Sequence, residues 1–149
     1  MEIIRKVVEK NFDTTLDENL DFEIRKERIY VFKKELRYIY NFLKEKKIRL
    51  ENLGIYFGKL KKNDKIQLSI EGSQLVGKTA KKNVIEIKNY DELKKFLTEE
   101  KNLKVEDFNV EKHNFPIVKY KDYIVCSAAS LENEIKSLFP KNAKKQLLE

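Results

Sequence analysis

Apolar positions change period several times along this chain of 149 residues. From Glu2 to about Asn11, Ile3, Ile4, Val7 and Val8 recur at helical spacing and predict an amphipathic helix. Asn11, Asp13 and Thr14 end it or open a turn. Leu20, Phe22 and Ile24 then alternate with Asp21, Glu23 and Arg25. Ile29, Tyr30, Val31 and Phe32 follow after Lys26 and Glu27. That is the pattern of a hairpin. Lys34 to Lys47 returns to the helical period, with Leu36, Ile39, Tyr40 and Leu43 on one face, which Tyr38 and Phe42 widen.

The stretch from Asn52 to Gly77 holds all four glycines of the chain: Gly54, Gly58, Gly72 and Gly77. Leu53, Ile55 and Phe57 alternate with Gly54, Tyr56 and Gly58. After the polar connection Lys61 to Lys65, Ile66, Leu68 and Ile70 alternate with Gln67, Ser69 and Glu71. The pattern predicts a hairpin with a lysine-rich tip that runs into a glycine-bracketed turn. Glycines within strands mark a bulge, a tight bend or a closely approaching backbone.

Further on, Asn83 to Lys88 predicts a short strand. Asn89 is a candidate N-cap for a helix from Tyr90 to Glu100, with Leu93, Phe96 and Leu97 as its buried stripe. Val105, Phe108 and Val110 suggest a weak strand or extended segment. Ile117 to Tyr120 and Tyr123 to Cys126 read as a third hairpin about Lys121 and Asp122. Leu131, Ile135, Leu138 and Phe139 suit a last short helix or strand that Pro140 stops. Lys141 to Glu149 reads as a loose basic tail. The expected class is α+β. A small α/β module of order α-β-β-α spans 1–50, and a mixed β pseudobarrel spans 51–149, with the boundary near Arg49 to Asn52.

A formal charge of +7 and a pI near 9.3 favour an anionic partner, although a lysine-rich composition alone raises the pI. Three groups of lysines stand out: Lys59, Lys61, Lys62 and Lys65 about the hairpin tip; Lys78, Lys81 and Lys82 after the glycine turn; and Lys136, Lys141, Lys144 and Lys145 at the C-terminus. On one face they would contact phosphates, with little sequence readout. Tyr56 and Tyr120 either stack on unpaired bases or pack at the barrel rim. The lone cysteine, Cys126, excludes an intrachain disulfide and fits a reducing cytoplasm. The charged N-terminal stretch does not read as a signal peptide, and no apolar run approaches the length of a membrane span.

Candidate chemistry is sparse. Gly72 to Thr79, GSQLVGKT, formally satisfies the phosphate-binding pattern G-x-x-x-x-G-K-[ST]. A working site of that kind needs a buried parallel strand before it and a long helix after it. Here the preceding strand alternates, and a new strand begins at Asn83. Cys126 sits among apolar neighbours and reads as a packing thiol. His113 is the only histidine, so no metal set is expected. No catalytic residue and no cofactor is expected.

With those residues laid out, the chain resembles the PUA group of RNA-binding proteins. LGIYFGKLKKNDKIQLSIEGSQLVG, with RIYVF upstream, is similar to the module that precedes a PUA domain in ribosome-biogenesis proteins. NVIEI with DELKKFLTEE, then FPIVKYKDYIVCS and IKSLFPKNAKK, resemble the PUA-like C-terminal domain of Sun-type RNA cytosine-5 methyltransferases. The chain departs from that pattern in lacking a glycine near Thr98 to Lys101 and in its last hairpin, and in carrying Ser137 where asparagine is common. The resemblance implies a non-enzymatic module that binds structured RNA in rRNA or tRNA maturation, as a biogenesis factor or beside an RNA-modifying enzyme. Two other readings stand beside it: a protein-interaction adaptor with an incidental basic surface, and a nucleotide-binding enzyme using Gly72 to Thr79.

Overall fold

The computed structural model describes residues 2–48 and 54–140. The fold class is α+β, as expected, with two sheets and helices packed on them. Helix α1 (Glu2–Phe12) buries Ile4, Val7, Val8 and Phe12 and leaves Ile3 exposed. Asp13 ends it with φ of 49°, a left-handed conformation that an aspartate tolerates. Strands β1 (Leu20–Arg25) and β2 (Arg28–Lys33) form the expected hairpin, paired Leu20 to Lys33 through Arg25 to Arg28. A 3₁₀ turn at Lys34–Leu36 leads into α2 (Arg37–Glu45). Tyr40 is fully buried on α2, whereas Tyr38 and Phe42 point outward, so they do not widen its buried face.

Strands β3 (Ile55–Lys61) and β4 (Lys65–Leu68) form the central hairpin, whose tip places Asn63 and Asp64 at positive φ. β2 pairs antiparallel with β3, so the first sheet has the order β1-β2-β3-β4 and runs across the 50/51 division. The expected glycine turn is a helix instead. The alternation stops at Leu68, and α3 (Ile70–Gly77) begins, its N-cap Ser69 accepting a hydrogen bond from the Gly72 amide at 2.9 Å. α1 and α3 cover one face of the sheet, over Phe22, Ile29, Val31, Phe57, Ile66 and Leu68. A buried phenylalanine such as Phe57 stabilises by about 2–3 kcal/mol.

The second sheet has the order β5-β7-β8-β9-β6, from β5 (Val84–Ile87), β6 (Leu103–Lys104), β7 (Ile117–Tyr120), β8 (Tyr123–Ser130) and β9 (Glu134–Ser137). β5 and β7 are parallel. The connection between them carries α4 (Tyr90–Leu97), capped by Asn89, whose side chain accepts from the Glu92 amide at 3.1 Å. Val105–Asp107 is a 3₁₀ turn, not a strand. The first half of β8 pairs with β7 and the second half with β9, so this strand carries the curl of a half-barrel. Successive residues of β7 face opposite cores. Ile117 joins the core under α1 and α3; Val118 joins Ile85, Phe96, Leu97, Cys126, Ala128 and Ile135 inside the second sheet. Cys126 is buried, as its neighbours required. No helix among the described residues is long and apolar enough to cross a membrane.

Candidate functional site

The phosphate-loop pattern has no loop behind it. Gly72 to Gly77 lie within α3, and the backbone N–H groups that would cradle a phosphate are committed: the Gly72 amide to Ser69, and the Ser73 amide to the Ser69 carbonyl at 2.8 Å. α3 also follows an antiparallel strand. Gly72 to Thr79 therefore does not form a phosphate-binding loop. No group of three or more potential metal ligands occurs among the described residues, and exposed His113 meets Glu132 at 3.1 Å.

The predicted lysines divide among several places. Lys65 and Lys82 line one cleft of about 340 Å³, together with Lys10, Asn11, Asn83, Asn109, Glu111 and Asn114. Two interactions build it. The Asn11 amide on the last turn of α1 donates to the Asp64 carbonyl at 2.8 Å, which docks the hairpin tip. The Lys81 backbone N–H donates to the Phe12 carbonyl at 2.9 Å, which brings in the segment after α3. Sequence separation hid this meeting. Three lysines and four asparagines line the cleft with one acid, Glu111, which pairs with Lys65 at 3.3 Å; Lys10 also pairs with Asp64 of the hairpin tip at 3.5 Å. Lys61 extends the cationic rim, its ammonium 5.7 Å from the Phe115 ring centre, and Lys62 is exposed at the tip.

The other predicted residues lie elsewhere. Lys59 of β3 does not line the cleft and pairs with Glu27 at 2.9 Å. Lys78 is exposed at the end of α3, and Lys81 borders a separate recess with Glu9, Asp13, Thr14, Thr15 and Thr79. Lys136 is exposed on β9 of the second sheet. Lys141, Lys144 and Lys145 fall outside the described residues.

A second cluster pairs Tyr56 with Tyr30, which is not among the site residues expected from the sequence. On the outer face of the first sheet, Tyr30 of β2 and Tyr56 of β3 are cross-strand partners with ring centres 5.8 Å apart and planes inclined at 52°. Arg25 lies over Tyr30 at 5.0 Å and Arg28 over Tyr56 at 5.7 Å. Burial raises the Tyr56 phenol above its ordinary pKa against the opposing pull of Arg28 and Lys59, so the ring stays neutral beside its cations. Among the described residues the face is only partly roofed. α2 covers Phe32, stacked on Tyr40 at 4.6 Å, and is clamped there by Arg37, which donates to Asp21 at 2.8 Å and Glu23 at 2.7 Å. The Arg37 hydrogen bond holds the Asp21 carboxyl well below the usual range. Burial pushes the Glu23 carboxyl up, but Lys44 and Arg37 outweigh it and the net shift is downward. Tyr56 also walls a cleft of about 300 Å³ between the sheets, with Ser69, Glu71, Cys126 and Ser127. The signal for Tyr30 was in the sequence: inward Ile29 and Val31 force the residue between them outward.

Tyr120 also has an aromatic neighbour, Tyr90 at 6.0 Å, with Lys121 over its own ring and Lys94 over that of Tyr90. Both tyrosines singled out from the sequence therefore lie at aromatic–cation contacts. No protein-family model matches this chain, and no curated protein matches it in sequence.

Proposed function

We propose that this protein binds structured RNA through its lysine-rich surface, without catalysing a reaction, as a factor in rRNA or tRNA maturation. The observation that carries the reading is the cleft of Lys10, Lys65 and Lys82 set among Asn11, Asn83, Asn109 and Asn114. Lysine and asparagine side chains contact phosphate and sugar oxygens, which position a nucleic acid and give little sequence readout. The cleft is fixed by packed elements: the α1 C-terminus, the β3–β4 tip and the start of β5. A formal charge of +7 adds long-range attraction for a polyanion. The PUA resemblance points the same way and supplies the class of RNA.

The test is a filter-binding titration with a folded tRNA and an rRNA fragment, against an unstructured competitor, at low and near-physiological salt. Micromolar or tighter binding that survives physiological salt and prefers folded RNA is expected. Equal, salt-labile binding of any polyanion would sink the reading. The adaptor alternative has one feature in its favour, the outward-facing Tyr38 and Phe42 one turn apart on α2.

A further inference from the structure

We propose that the open face at Tyr30 and Tyr56 stacks two adjacent unpaired nucleotides of the bound RNA. This rests on the RNA-binding reading and names the kind of RNA segment the protein takes: a short single-stranded run beside the folded part.

The two rings sit on the two middle strands of a four-stranded sheet, held by cross-strand pairing, so they are presented with little freedom left to lose on binding. Tyr56 is 36% exposed and Tyr30 is half-buried. A purely structural role would place such groups under a covering element, but among the described residues α2 covers the Phe32 end of this face only. The charge around the rings selects the occupant. Arg25, Arg28 and Lys59 border them; of the described carboxylates nearby, Glu27 is engaged by Lys59, Glu23 (the cross-strand partner of Tyr30) is engaged by Arg37 and Lys44, and Glu71 lines the cleft beside Tyr56. An anionic strand fits that balance, and its unpaired bases use the rings while its phosphates use the cations. Aromatic rings and guanidinium planes are the surfaces on which unpaired bases stack, and each ring takes one base.

The assay is fluorescence anisotropy with a hairpin RNA bearing a short single-stranded overhang, a blunt form of that hairpin, and an overhang with two abasic nucleotides. Wild-type protein should bind the intact overhang at least about fivefold more tightly than either control. Tyr56→Leu keeps an apolar side chain and should lose that preference; Tyr56→Phe should retain it. Neither should change the salt dependence, which belongs to the lysines. The abasic arm uses unaltered protein, so it does not depend on how a variant folds. Equal affinity for intact, abasic and blunt RNA overturns the stacking proposal while leaving RNA binding in place, and hands this face to a protein partner. Absence of binding to all three overturns both.

Discussion

Gly72→Ala separates two opposing effects of one methyl group. In an unencumbered helix the change would help, because alanine is favoured over glycine by about 1 kcal/mol. At Gly72 a Cβ would run into the Phe57 carbonyl, with the Phe57 carbonyl carbon at 3.0 Å and the Ser69 hydroxyl at 3.3 Å. The obstacle is strand backbone, itself held by the Ser69 amide, which donates to that same carbonyl at 2.9 Å. Overpacking of this kind costs about 1–3 kcal/mol, and here the upper end or beyond applies because no rotamer change relieves it. The net loss is about 2 kcal/mol, which lowers Tm by about 4–8 °C for a chain of this size. Gly77→Ala is the internal control. Its Cβ would meet only the Ile124 side chain, at 3.0–3.1 Å, so the neighbour can shift and the propensity gain offsets much of the strain. Urea and thermal unfolding of both variants decide the matter. A Gly72→Ala protein as stable as the parent, or more stable than Gly77→Ala, would refute the close approach of α3 to β3.

Other outcomes follow from single contacts. Arg37→Ala leaves Asp21 and Glu23 without their shared guanidinium and should cost about 1–3 kcal/mol at pH 7 by urea denaturation. Both carboxyls have folded pKa values below their unfolded ones, near 4. Their stabilisation is therefore complete above about pH 5 and is lost as pH falls through and below 4; the parent should weaken across that window more steeply than the Arg37→Ala protein. Lys65→Ala and Lys82→Ala should each lower the slope of log affinity against log salt by about 1 in the filter-binding assay. Ser69→Ala removes the α3 cap and should cost about 1 kcal/mol. Buried Cys126 should react with a thiol reagent only as fast as the second sheet opens, so labelling should accelerate sharply in mild denaturant.

The parts of the fold that were legible are those governed by local rules. The three hairpins show in alternation, and Asn89 announces α4 because its side chain reaches an amide three residues on. α3 was missed for a non-local reason. Glycines at 72 and 77 argue against a helix by propensity, yet the first is there because α3 lies on the Phe57 carbonyl and the second because Ile124 of β8 lies against it. Ser69 at the N-cap and Glu71 in the first turn were the available local signals, masked by an alternation that continues to Ile70. The site divides the same way. Tyr30 follows from strand period, but Lys10, Lys65 and Lys82 meet only because Asn11 and Phe12 bind backbone groups far along the chain.

The first sheet is two local hairpins joined edge to edge along β2 and β3, with α2 in the intervening segment. During synthesis the first hairpin leaves the ribosome well before its partner, and until Ile55–Lys61 emerges β2 is an exposed edge strand, open to pairing with a neighbouring nascent chain. Charge is a feature that protects such edges, and β2 carries it at both ends, Arg28 at its start and Lys33 at its end. Arg28, which borders the tyrosine face in the finished protein, thus also guards the unfinished one against aggregation.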